Sequence, residues 1–473
     1  MYAYEKAKKA ASKQGFDIDD MLRKNEISVG LYHTAGKGTR LAPLPAAENN
    51  NKPGVKLPAT HKVGDKIEVV TILEAVIKQT GCYAKSRIGR LSVFWGDQVF
   101  IPTVPVEYNA TYHVDILCSL GPMLSEVEWK EKGMDKYGLI AQSKNGSAAQ
   151  VEKVSHSTAV QLLSTLGDIE SVGASLGSFS LSAIMLMALL AEFSVELEKK
   201  QGKLDSDPHF WMPMTLSKAA YAEIMAQKGV TEENANSHFD RIAQMIEKFK
   251  ANPSSKSHTG LFGPVDVGQN VYWWDYGQLK LYVHNSLLMA ESSIDALLMR
   301  QFFGLSDSLI VDTEINISNI DSQSCLSNCM VGDGFVKKSV LCNVHTDYIE
   351  ATDCVLVNVT AKRIIASPGS VAYNVVSTDP NGLVLGEGSV NACIFNEEAD
   401  MTLIRSHVSI DGGKYWDEKV ESNNNTFGEL YEMNTTICPL KAEDAVQRSH
   451  SNVRSTSLSS CSGNSSPIKS SDR

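Results

Sequence analysis

The chain has 473 residues, of which 43% are hydrophobic and 21% charged, with a formal net charge of -11. That length exceeds one compact core and predicts two or three domains, and the composition is that of an ordinary globular protein. A net negative charge argues against nucleic-acid binding held by bulk electrostatics. Nine cysteines, none in a CxxC pair, indicate neither a zinc site nor a disulfide framework.

In chain order, residues 1–25 are lysine-rich without the apolar run of a secretory signal, and predict a helical extension. Asp17, Asp19 and Asp20 speak against a transit peptide. Free thiols suit a reducing compartment, so the expected location is the cytoplasm, with an organellar address as the alternative. From 26 to 303, apolar runs alternate with helical patterns. "ISVGLYHTA" and "RLSVFWGD" are short, glycine-bounded runs, as buried strands of a parallel sheet should be. Between them "TILEAVIKQTG" has helical spacing and ends on Gly81, the expected C-cap. This pattern predicts an α/β, Rossmann-like domain with its ligand site at the strand ends. "AIMLMALLAEF" (183–193) is too short for a bilayer and predicts a buried helix, so no membrane association is expected.

Helical periodicity stops near residue 304. "SVLCNV" (339–344) returns as "CVLVNV" (354–359), with "NACIFN" (391–396) a weaker echo. Short recurring rungs predict a parallel β-helix over 304–400, against the alternative of a β-sandwich. An open end rung is a surface for self-association, so a homo-oligomer is expected. Residues 401–445 form a C-terminal extension. The tail 446–473 is serine-rich with few large apolar residues and is expected to be disordered.

The stretch "TAGKGTRLAPL" (34–44) follows the first strand. Glycines at 36 and 38 remove Cβ atoms so that backbone N–H groups can approach a phosphate. Thr39 adds a hydroxyl and Arg40 a fork-shaped cation. The loop is neither a Walker A motif nor GxGxxG.

With the "KPGVKLP" that follows (52–58), this stretch resembles the signature of the sugar-1-phosphate nucleotidylyltransferases. "VFWGDQ" (93–98), "KYGLIAQSKNGSAAQVEKV" (136–154), "ASLGSFSLS" (174–182) and "VYWWDYGQLKLY" (271–282) resemble further landmarks of that family, in the same order. Many members carry a left-handed β-helix after the catalytic domain. The resemblance implies attack by a sugar 1-phosphate oxygen on the α-phosphorus of a nucleoside triphosphate, with loss of pyrophosphate. It implies Mg2+ as cofactor, held by Asp97 and Asp275, which follow the strand-like runs "LSVFW" and "NVYWW" and are expected to converge at the strand ends of one parallel sheet. Ala35, Gly36, Lys37, Gly38, Thr39 and Gly96 would line the nucleotide, with Lys37 itself reading as a solvated loop residue. Arg40 would grip the triphosphate. The catalytic lysine is Lys52, which precedes a proline as in the motif, or Lys56. Tyr137, Gly138, Glu152, Lys153, Ser175 and Gly177 would hold the sugar phosphate.

The chain departs from the family in three places. Val154 replaces the proline of E-K-P, Ser175 replaces an asparagine, and "GCYAKSRIGRL" (81–91) stands where the family has a base-reading Q-x-P-L-G-T-A. Base and sugar are therefore open. The alternative from another class is a non-catalytic relative serving as a regulatory or scaffold subunit. Retention of GTR, the lysine before proline and both aspartates favours the enzyme.

Overall fold

The apolar runs become strands of a seven-stranded sheet: β1 (Val29–His33), β2 (Arg90–Trp95), β3 (Tyr112–Gly121), β4 (Gly138–Ser143), β5 (Ala148–Glu152), β6 (Ile169–Ser182) and β7 (Gly260–Asp266). The order is β1-β2-β6-β3-β7, with β4 also on β6 and β5 on β4. β1 pairs parallel with β2 and β3 with β7, while β6 runs against β2, β3 and β4. All strands but β5 and β6 thus point one way, as expected of a mostly parallel α/β sheet. In the computed structural model the described residues are 1–473 without 35, 145–147, 164–166, 200–204, 259, 270, 306–308, 316–319 and 459–473.

The chain divides into two compact units. The first comprises Met1–His33, Gln79–Trp95 and Phe100–Tyr272, and the second Thr34–Lys78, Gly96–Val99 and Trp273–Arg473. In the first, the helix Ala183–Glu192 buries Met185, Leu186 and Leu189 against β2, β3 and β6. Its N-cap Ser182 accepts the Met185 N–H at 3.3 Å. Each such side chain contributes about 1.5–3 kcal/mol by leaving water. The N-terminal helices Tyr2–Ser12 and Ile18–Arg23 belong to this core, because Tyr4 and Leu22 are buried in it. The Tyr4 hydroxyl donates to Asp19 at 2.6 Å.

The glycine loop lies in the second unit with the repeats. There Cys325–Ser327, Val340–Thr352, Val355–Ala361, Val371–Ser377 and Ser389–Phe395 stack parallel as a β-solenoid. Leu326, Leu341, Leu356 and Ala372 lie one above another and fill its interior. The asparagine of the repeated motif makes the corner. Asn328, Asn343, Asn358 and Asn374 all take positive φ, between 51° and 58°, a conformation asparagine tolerates better than other side chains with a Cβ. Their amides form a ladder: Asn328 donates to Asn343 at 3.0 Å, Asn343 to Asn358 at 2.7 Å, and Asn358 to Asn374.

Three sequence expectations are corrected. Gly81 is not a left-handed cap; the helix Ile72–Thr80 runs on into a 3-10 turn, Gly81–Tyr83. The strand carrying Asp275, Tyr272–Asp275, stands outside the seven-stranded sheet. The tail does not lose order at 446, since one helix spans Pro439–Ser457. Val446, His450 and Val453, at helical spacing, are buried, the two valines in the solenoid core. A stripe that sparse is invisible to a composition count yet is enough where a preformed apolar wall receives it. Residues 459–473 of the expected tail lie outside the described residues.

Candidate functional site

The second unit gathers four of the sequence-selected side chains. Gly38 takes φ +68° and opens the 3-10 turn Thr39–Leu41, which presents Arg40 exposed. A Cβ on Gly38 would meet the Lys52 side chain at 3.3 Å, so the missing side chain is the space along which Lys52 passes. Lys52 Nζ ends 2.5 Å from Asp97 Oδ2. Asp97 and Asp275 are tied through their backbones, the Tyr276 N–H donating to the Asp97 carbonyl at 2.9 Å. Asp275 Oδ1 accepts the Gly277 N–H at 2.7 Å.

Gly277 reports how close the carboxylates lie. A Cβ there would meet Asp97 Oδ2 at 2.8 Å and Asp275 Oδ1 at 3.0 Å. The two oxygens are therefore within about 6 Å of each other, a span one ion with oxygens at about 2.1 Å can bridge after modest closure. Burial and then the Asp97 charge push the Asp275 carboxyl above its ordinary range, opposed by the Gly277 N–H, Arg40 and Lys52. Two carboxylates beside two cations can offer oxygens to a hard cation and N–H donors to an anion. Among the described residues no group of three or more His, Cys, Asp or Glu side chains could hold a metal by itself.

The remaining loop residues fall elsewhere. Lys37, expected to be solvated, sits 4.6 Å from the Tyr431 ring centroid and 5.7 Å from that of Trp416. Gly36 is exposed and Gly96 buried, while Ala35 lies outside the described residues. Lys56 is buried in a separate network, its Nζ 2.8 and 2.9 Å from the Glu48 oxygens and 3.2 Å from Glu443. Tyr373 donates to Glu48 and accepts the Lys56 N–H.

The first unit assembles the other cluster. The β4–β5 hairpin sets Gly138 opposite Glu152. Glu152 is bracketed by Lys153 at 3.1 Å and Lys228 at 3.0 Å. Burial alone would raise its carboxyl, but Lys228 and Lys153 outweigh burial and hold it below the usual range. Beside Gly138 stand Ser175 and two residues the sequence reading missed, Asp207 and Gln150. Burial, reinforced by the Glu152 charge, pushes Asp207 up to about 6. Gln150 is fully buried, and its amide donates to the Asp207 carboxylate, which opposes the rise of that carboxyl. It stands two residues before Glu152 in one strand, hence on the same face, and that spacing could have revealed it. Nothing comparable marked Asp207, which opens a short π-helix, Asp207–Trp211. Gly177, at φ +72°, packs so tightly on Trp95 that a Cβ would collide with the indole, and Ser175 Oγ accepts its N–H at 3.0 Å. Tyr137 is exposed, and its carbonyl accepts the Lys153 N–H at 3.0 Å.

Two solved structures are similar. One is a mannose-1-phosphate geranyltransferase from Thermus thermophilus, 15% identical, covering 80% of this chain and 94% of that one at a TM-score of 0.28. The other is described as a glucose-1-phosphate thymidylyltransferase from Bacillus anthracis in complex with sucrose, 11% identical, covering 59% of this chain and 99% of that one, also at 0.28. No protein-family model matches the sequence, and neither does any curated protein. Likeness at this level does not reach activity, which must rest on the two clusters. Among the described residues no helix is long and apolar enough to cross a membrane.

Proposed function

We propose that the chain is a sugar-1-phosphate nucleotidylyltransferase, transferring NMP from a nucleoside triphosphate to a sugar 1-phosphate. The observation that carries this reading is the meeting of Asp97 and Asp275 at Gly277, with Lys52 on Asp97 and the Arg40 charge acting on Asp275. In the reaction a phosphate oxygen of the sugar 1-phosphate bonds to the α-phosphorus while the bond from that phosphorus to the bridging oxygen breaks. The electron pair leaves with pyrophosphate. No covalent enzyme intermediate is required, so the protein's part is positioning and charge neutralisation.

Arg40 offers a planar fork to the β- and γ-phosphates and steadies the departing pyrophosphate. Lys52 is the lysine that serves the triphosphate, because Lys56 is consumed by Glu48 and Glu443. Asp97 and Asp275 would hold magnesium, which when bound supplies positive charge to the phosphates. In the first unit Glu152, Gln150 and Asp207 accept or donate hydrogen bonds to sugar hydroxyls, and Lys153 pairs with the sugar phosphate.

The test is pyrophosphate release from a panel of nucleoside triphosphates and sugar 1-phosphates with magnesium. At least one pair should turn over, and Asp97→Asn should reduce that turnover by orders of magnitude. A silent panel from a folded, magnesium-loaded protein refutes the enzyme and favours the scaffold reading, in which Lys52 serves only as a permanent partner for Asp97.

A further inference from the structure

The second unit contains a cavity of about 690 Å³ that plays no part in the proposed chemistry. One wall is the solenoid corner with Asn328, Asn343 and Asn358, another the strand pair Lys56–Val63 and Lys66–Thr71, and the third the helix Pro439–Ser457. The size falls within the range of small-molecule sites. Arg454, from the last turn of that helix, lines it.

Arg454 is partly buried, and among the described residues it makes no ion pair. Its Nε donates to Thr360 Oγ1 at 3.3 Å and one Nη to Asn343 Oδ1 at 3.2 Å. A guanidinium has five N–H donors, so the rest of its fork is left for something else. Burial lowers its pKa to about 10, the sign of a cation held without an acid beside it. The carboxylates on the walls are otherwise engaged or peripheral. Glu48 and Glu443 hold Lys56, while Glu68, Glu74 and Asp444 are exposed. Lys66 adds a second, exposed cation.

We propose that this cavity binds a small organic anion, its phosphate or carboxylate on the Arg454 fork and its polar groups on the asparagine corner. The fork matches a tetrahedral or planar oxyanion bidentately. Each ladder amide spends one N–H on its neighbour, which leaves donors for hydroxyl or carbonyl oxygens. The acidic rim limits the charge of the guest: one or two negative charges are matched, and a triphosphate is repelled. The site is therefore distinct in preference from the Arg40 and Lys52 cluster, and the inference does not rest on the proposed activity.

The test is titration calorimetry on the full chain with inorganic phosphate, succinate and ATP as probes. Saturable binding of phosphate or succinate is expected, and which is tighter tells phosphate from carboxylate ligands, while ATP affinity should not change on Arg454→Gln. Arg454→Gln should weaken it at least about tenfold, the value of a charge-assisted hydrogen bond, and Arg40→Gln should leave it unchanged. In unmodified protein, phenylglyoxal labelling of Arg454 read by mass spectrometry should be slowed by the bound anion, a measurement that does not depend on the variant folding. Binding unaffected by Arg454→Gln, binding abolished by Arg40→Gln, or labelling of Arg454 indifferent to the anion would each overturn the site.

Discussion

Lys56→Met separates the two lysines of the KPGVKLP stretch. Lys56 is 6% exposed and Glu48 9%. Burial would depress the Lys56 ammonium, yet Glu48 and Glu443 outweigh it and hold the pKa above the ordinary lysine range. Among the described residues the methionine leaves the Glu48 carboxylate with the Tyr373 hydroxyl alone, and removing one member of a buried pair costs about 3–5 kcal/mol. The second unit has roughly 250 residues, and a domain of that size loses about 2–4 °C of Tm per kcal/mol. Differential scanning calorimetry should therefore show a fall of about 6–20 °C. Adding Glu48→Gln should restore a good part of it, since the buried charge is then gone from both sides. Lys52→Met breaks a single contact to Asp97 and should cost under about 2 kcal/mol while abolishing pyrophosphate release. A Lys56→Met protein that keeps its Tm but loses turnover would refute this reasoning and return the catalytic role to Lys56.

Asp207→Asn should stabilise the protein at pH 7.5 and not at pH 3.5. A carboxyl raised to about 6 in the fold stabilises below the unfolded pKa and loses that contribution as pH rises through 6, worth up to about 3 kcal/mol, and paired melts at the two pH values show it. Asn358→Ala should cost about 2–4 kcal/mol, because it breaks two ladder bonds and places alanine at φ +55°; Asn358→Gly should cost less, and urea unfolding ranks the two. Truncation after Leu458 should leave stability unchanged, whereas truncation after Cys438 should lower it by more than about 3 kcal/mol through loss of Val446, Val453 and the Glu443 contact, as calorimetry would report.

What the sequence revealed was local or repeated. β1 and β2 were legible as apolar runs, the glycine loop as a place where side chains are kept out, and the solenoid through its recurring "NV". That asparagine proved to be the corner residue, a role set by φ rather than by polarity. What stayed hidden depends on contacts far apart in the chain. The sequence leaves both Lys52 and Lys56 open, and their partners, Asp97 for the first and Glu48, Glu443 and Tyr373 for the second, distinguish them. Asp207 meets Gly138 across dozens of intervening residues, with no periodicity to announce it. The end of the terminal helix was missed because from 446 onward its stripe is Val446, His450 and Val453 alone, and its partner wall is built by other segments. Tyr272–Asp275 read as one more sheet strand because a four-residue apolar run does not say which neighbour it will pair with.

The asparagine ladder also governs how this protein's length can change. From Asn328 to Asn343 and from Asn343 to Asn358 the step is 15 residues, and it is 16 to Asn374. An insertion of one or two residues within a turn would rotate leucines out of the interior and strand every amide beyond it. Removal of a whole turn, residues 340–354, would instead bring Val355 onto Cys325 in the register Val340 now holds, with the ladder intact. Length in this region is quantised, and genes encoding longer or shorter versions should differ by whole coils, each flanked by the same left-handed corner.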